Sequence, residues 1–453
     1  MSSKAATGEA IAGIEIPAGL RGATEEAAEV ILRRLMDREV VADAVRESVR
    51  RADFPYQWGG VPLYGGHTGQ ALVCDQAARA LPGEAEHWRE ATRAWLREAV
   101  AGTRDKPLDE PGIGYGTAGL ALAVSQCAVE QPGFRKTANR IDARLAEQVA
   151  NRPDPRRFGG VNRGAFDAIQ GSAGILGYLV TVEEPDPAVT AAIDGLIDDL
   201  IWLCTPEPDG RRRWIAAPEY YVIPGDHDRF PHGYLDLGLA HGICGPLATL
   251  SMAWSAGHRR PGQREAIHRT ADDLVRLSIA DEWGRNWARL YGVDASGVPD
   301  RPLEPLGRTA WCYGAPGVSS ALLDAADALG NDDWREVAVD GFHTEMRRLR
   351  DGSGHIDAAT LCHGLSGPLL IAQKIADRTG DEAMRGVVLE LVERILGYCD
   401  FDLPLVVQEI HIGAPGIRLD SPGLLDGAAG VALALWSTLR PQETAWQRAL
   451  LIR

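Results

Sequence analysis

A Gly-x-x-Gly that opens directly onto an apolar, helix-forming run occurs seven times in this 453-residue chain, and no other feature limits its fold as strongly. The copies begin at Gly66, Gly116, Gly171, Gly242, Gly314, Gly364 and Gly427, with spacings of 50, 55, 71, 72, 50 and 63 residues. A single GxxG carries little information, but seven at comparable spacing describe a repeat. Between copies lie segments with apolar residues at helical spacing and charges elsewhere, such as HWREATRAWLREAV and AMRGVVLELVERILGY. Each copy is thus expected to be preceded by one surface-type helix, giving about fourteen helices in seven hairpins. The runs after the glycines, LALAV and VALALW among them, are apolar on nearly every side, which suits helices enclosed by others. An open solenoid would present a more polar binding face, so the expected class is all-α, closed as an α/α toroid. Glycine at the entry to each inner helix permits a sharp turn and close backbone approach, which places the residues just before it on one shared rim.

The chain is expected to form a single domain over residues 1–453, with the repeats covering about 60–435. Alternating strand pattern is nearly absent. The one candidate is RRWIAAPEYYVIP at 212–224, inside an expected small β-containing, substrate-binding extension at 205–236. A net charge of −16 disfavours nucleic acid as a partner. The absence of an eighteen-residue apolar run and of a basic, apolar leader points to a cytoplasmic protein without a transmembrane segment. Seven cysteines without a CxxC read as reduced thiols, most of them core residues.

Aligned on the first glycine of each copy, the residue two before it is Tyr64, Gly114, Ile169, Ala240, Cys312, Cys362 and Leu425. The residue one before it is Gly65, Tyr115, Gln170, His241, Tyr313, His363 and Asp426. Repeats four to six therefore bring His241, Cys312 with Tyr313, and Cys362 with His363 to neighbouring rim positions. A lone cysteine is more often a buried core thiol, but two in the same slot of consecutive repeats are not a random pair. Two thiolates and an imidazole suit zinc, and three protein ligands leave a fourth position open, as in catalytic sites. His67, Cys244, His227 and His232 fall off this register and read as terminus, packing and loop residues.

With Trp311-Cys312-Tyr313-Gly314, Cys362-His363-Gly364, Ala240-His241-Gly242 and the seven repeats in hand, the sequence resembles the lanthionine synthetase C-like cyclases. The resemblance implies an α/α toroid that closes thioether rings in dehydrated precursor peptides by adding cysteine thiols to dehydroalanine or dehydrobutyrine. It implies Cys312, Cys362 and His363 as zinc ligands and His241, Asp167, Arg308 and Tyr313 as active-site residues. Implied partners are a precursor peptide with its leader, and a dehydratase and an exporter that would hold the protein at the membrane. Two other readings compete with this one. An (α/α) barrel glycosidase would need paired rim carboxylates where this chain has Cys and His. A glutathione- or peptide-binding relative would hold a thiol on zinc without turnover.

Overall fold

A computed structural model describes residues 14–56, 58–105, 107–157, 161–223, 225–303, 307–411, 414, 416–440 and 445–452. In chain order, α1 (Ala18–Met36) and α2 (Arg38–Arg51) precede three pairs: α3 (His67–Ala80) with α4 (Ala85–Asp105), α5 (Thr117–Glu130) with α6 (Arg135–Asn151), and α7 (Ser172–Leu179) with α8 (Pro187–Cys204). After a short α9 (Asp226–Arg229) come α10 (Cys244–Ser255) with α11 (Gln263–Arg276), α12 (Ala315–Leu329) with α13 (Asp332–Arg350), α14 (Ser366–Thr379) with α15 (Glu382–Leu396), and finally α16 (Ala428–Leu439).

The seven glycine copies open α3, α5, α7, α10, α12, α14 and α16, which pack side by side in that order, with α16 returning to α3. The ring is closed, as the apolar character of these helices implied. In α16 every residue from Ala428 to Thr438 is buried, whereas outer α11 buries only one stripe, including Ala266, Ile267, Ala271 and Leu274. One pairing differs from the sequence expectation: each outer helix follows its inner partner instead of preceding it. The last inner helix, α16, therefore packs against α1, so the first helix of the chain completes the outer layer.

No inner helix has a side-chain cap, whereas α2 and the outer helices α8, α13 and α15 begin at Asp37, Asp186, Asn331 and Asp381, whose side chains accept from the first free helical N–H groups. Inner α3, α5, α7 and α16 begin at glycine, with no side-chain cap. Their free N–H groups are satisfied by carbonyls of the approach loop, as in Thr117 N–H to Glu110 O at 2.9 Å and Ala428 N–H to Ser421 O at 2.9 Å. The capping carbonyl stands six residues before the first glycine, where a Cβ on that glycine would collide with it, as at Gly116 and Gly427. The second glycine of each copy faces another carbonyl of its approach loop: a Cβ on Gly119 would strike Ile113 O and sit 2.8 Å from Leu63 Cβ.

The strand content is larger than the sequence suggested. Strands β1 (Ile215–Ala216), β2 (Tyr234–Asp236), β5 (Leu290–Val293) and β6 (Pro299–Pro302) form an antiparallel sheet in the order β1-β2-β5-β6. The hairpins β3 (Ile279–Asp281) with β4 (Gly284–Asn286), and β7 (Glu409–Ile410) with β8 (Arg418–Leu419), stand apart. The 212–224 candidate contributes only β1; Tyr220 and Tyr221 lie in and just after a 3-10 turn. The extension supplies β1 and β2, the other two strands of the sheet come from the α11–α12 connection, and together they enclose a small core of Ala216, Phe230, Tyr234 and Leu290.

Gly119→Ala is expected to cost about 1–3 kcal/mol through overpacking. Gly195→Ala, on the exposed face of α8 with nothing within 4 Å of its Cβ, should stabilise by about 0.4–1 kcal/mol. Urea-unfolding midpoints of the two variants check this contrast.

Candidate metal centre and active site

The rim carries the sulfurs of Cys312 and Cys362 and the His363 imidazole in a cluster whose ligand atoms all lie within 4.8 Å of one another. Cys312 Sγ is 3.4 Å from His363 Nδ1. A tetrahedral zinc with bonds of about 2.3 Å to sulfur and 2.0–2.1 Å to nitrogen separates such atoms by roughly 3.5 Å, so the donor set fits that ion. Both cysteines are free thiols, 2% and 5% exposed. Burial alone would raise the Cys312 pKa, but the hydrogen bond with Cys362 and the charge of His363 outweigh it and hold the group well below its ordinary value. Burial and the neighbouring Cys312 push Cys362 up instead. His363 is lifted to about 9 against its own burial, chiefly by Cys312 and Asp426.

Next to it, His241 Nδ1 lies 2.7 Å from Asp167 Oδ2. Asp167 is buried, and its Oδ1 accepts from the backbone N–H groups of Ile169, Gln170 and Gly171 at 3.0, 2.7 and 2.9 Å. One carboxylate therefore both shapes the turn into α7 and orients His241. Burial would lower the His241 pKa, yet the hydrogen bond and charge of Asp167 raise it on balance. About a third of the His241 side chain, 31%, remains open. The Tyr313 ring lies 6.5 Å from that of His241, and its hydroxyl donates to Asp236 Oδ2 at 3.3 Å. Arg308 is half-buried and its charge reaches Cys312, Cys362 and His363; among the described residues its guanidinium has no hydrogen bond or ion pair.

All seven sequence-derived site residues thus stand on or beside one rim, on repeats three to six. A family model described as "Lanthionine synthetase C-like protein" matches residues 57–451. The chain belongs to the lanthionine synthetase C-like family. It is 23% identical over 347 residues to the nisin biosynthesis protein NisC of Lactococcus lactis subsp. lactis, covering 74% of this chain and 76% of that one. A solved structure titled "Nisin cyclase" superposes with a TM-score of 0.75 at 21% identity, covering 92% of this chain and 97% of the other, so the toroid is the fold of both.

Three residues of the site, Asp236, Asp426 and Glu409, were given no role from the sequence. Asp236, fully buried, accepts from Tyr313 and from Gly238 N at 2.9 Å, with Arg163 at 3.4 Å. It sits six before Gly242, the register position that Arg308 holds before Gly314, so extending the alignment by four positions would have found it. Asp426 appeared in the register but was given no role; its Oδ1 lies 3.7 Å from His363 Nε2. Glu409, on β7, had no sequence signal. Its pKa is lifted to about 8 by burial and by Asp426. Among the off-register residues, the Cys244 thiol donates to Leu237 O and His67 is the first residue of α3, its ring tilted against Trp95 at 5.3 Å, whereas His227 lies in the short helix α9 and not in a loop.

Asp167→Asn keeps the backbone acceptor but removes the charge beside His241, so the imidazole pKa is expected to fall. An NMR titration of His241 in the two proteins checks the direction; an unchanged or higher value contradicts it.

Proposed function

We propose that this chain is a zinc-dependent lanthipeptide cyclase that forms lanthionine and methyllanthionine rings. The carrying observation is that the Cys312–Cys362–His363 donor set and the His241–Asp167 pair occupy neighbouring positions of a single rim. Cys312, Cys362 and His363 would hold the zinc, which when bound lowers the pKa of an incoming peptide thiol, roughly 8.5 when free, so that it enters as a thiolate.

In the reaction, sulfur bonds to the β-carbon of the dehydro residue, and the alkene pair moves to the α-carbon and its carbonyl as an enolate. His241, oriented through Nδ1 by Asp167 and with its pKa raised by that carboxylate, delivers a proton to the α-carbon. The sum is addition of S–H across the double bond. Arg308, whose guanidinium has no hydrogen bond or ion pair among the described residues, is suited to stabilise the enolate oxygen. Tyr313, tied to Asp236, walls the pocket next to His241 and positions the substrate.

The extension at 205–236 serves as a docking surface for the peptide. Its strand β2 ends at Asp236, itself part of the site, and Val222 and Ile223 are 81% and 40% exposed. The substrate alkene implies a dehydratase acting earlier on serine and threonine, and the finished peptide an exporter. No helix among the described residues is long and apolar enough to cross a membrane. The reading places the protein in the cytoplasm, held to the membrane by partners.

Wild type is expected to bind one zinc and to consume free thiols on a dehydrated peptide, counted by mass spectrometry after alkylation. Cys362→Ala should lose both properties. His241→Asn should keep the zinc but slow thiol loss by about 10²–10⁴-fold. A wild type that binds zinc and peptide yet consumes no thiols would instead favour the binding-protein reading.

A further inference from the structure

We propose that Asp426 is the positioning carboxylate of the metal centre, holding the Nε2 edge of His363 so that Nδ1 is turned toward the two cysteine sulfurs. This rests on the zinc reading above and names the residue that prepares its nitrogen ligand.

The two edges of the His363 ring face different partners: Nδ1 lies 3.4 Å from Cys312 Sγ, and Nε2 lies 3.7 Å from Asp426 Oδ1. That Asp426 oxygen is buried and has no hydrogen-bond partner among the described residues. A buried carboxylate oxygen is costly to leave unpaired, and His363 Nε2–H is the donor it faces. A shift of well under 1 Å would bring that pair to hydrogen-bond length.

The juxtaposition is built by the backbone. Leu361 and Cys362 donate their N–H groups to Leu425 O at 3.2 and 3.1 Å, which locks the rim of repeat six to that of repeat seven. His363 and Asp426 occupy the same slot in those repeats, one residue before the glycine, so the lock sets them side by side. Neutral imidazole carries one N–H, and whichever nitrogen donates leaves the other free to bind a metal. Asp426 fixes that choice at Nε2. The His241–Asp167 pair makes the opposite choice, since Asp167 holds Nδ1 and Nε2 is left for the substrate. One rim thus carries two histidine–carboxylate pairs of opposite tautomer, one suited to a metal and one to proton transfer.

The test is zinc affinity of the full chain, measured at neutral pH by competition with a chromophoric chelator, in wild type, Asp426→Ala and Asp426→Asn. Both variants are expected to bind about 10–100-fold more weakly, Ala the more so because Asn retains an acceptor, and a folded variant within about twofold of wild type overturns the inference. Cobalt-loaded variants should keep their thiolate charge-transfer bands, because both cysteines still ligate; loss of those bands also overturns it. A purely structural role would lower the thermal midpoint of the zinc-free protein and leave the affinity of the folded fraction unchanged. Failure of wild type to bind zinc would sink the zinc reading itself, whereas tight binding by wild type and variants alike would sink only the role of Asp426.

Discussion

A circuit of backbone hydrogen bonds around the ring axis, joining the loop before each inner helix to the loop of the next, is what the rest of the molecule hangs on. Tyr64 N–H reaches Gly114 O, Gly114 N–H reaches Ile169 O, Ala168 N–H reaches Ala240 O, and Leu239 and Ala240 reach Cys312 O. Cys362 N–H continues to Leu425 O, and Leu424 and Leu425 return to Tyr64 O. The accepting carbonyl belongs each time to the residue two before the glycine. Such tight crossing of loops is sterically open only where the following helix starts without side chains, and this is the physical content of GxxG. The same loops cap the inner helices with their own carbonyls, so no aspartate or serine is needed at the inner helix starts, and the polar rim residues are left available for chemistry.

The circuit has one gap among the described residues, between repeats five and six. No rim N–H of Trp311 or Cys312 reaches Cys362 O. At that seam the two cysteine side chains face each other across repeats, and a bound cation would join by coordination what the backbone leaves unjoined. The acids nearest the site divide the work. Asp167 and Asp236 hold backbone turns and orient His241 and Tyr313, whereas Asp426 and Glu409 lie on the far side of the cysteines.

The repeat count, the closed ring and the cysteine–histidine cluster were legible because they depend on short-range pattern and on a register that the glycines make countable. Asp167 was reached through the family resemblance, but not that it could hold a turn and a histidine at once, which requires knowing that the loops of repeats three and four cross. The pairing of α16 with α1 was illegible because periodicity identifies amphipathic helices without saying which neighbour each one covers. Strands β2, β5 and β6 were missed for a related reason. They are three to four residues long, β2 pairs with β5 across more than fifty residues of sequence and β5 with β6 through a short turn, so none has an alternating run long enough to stand out. Glu409 comes to the site from a two-stranded hairpin outside the repeat register, and spacing alone could not have found it.

Closure of the ring by α1 on α16 has a kinetic consequence. The contact that completes both layers joins residues 18–36 to 428–439, so the longest loop in the chain must close before the last inner helix is covered. Loop-closure entropy grows only slowly with length, but contacts of such wide separation make assembly slow. Asp167 and His241 lie on middle repeats that can gather locally, while the setting of Asp426 beside His363 depends on the late docking of repeat seven. The Asp167–His241 pair can therefore form first, and the Asp426–His363 pair only as the circle shuts.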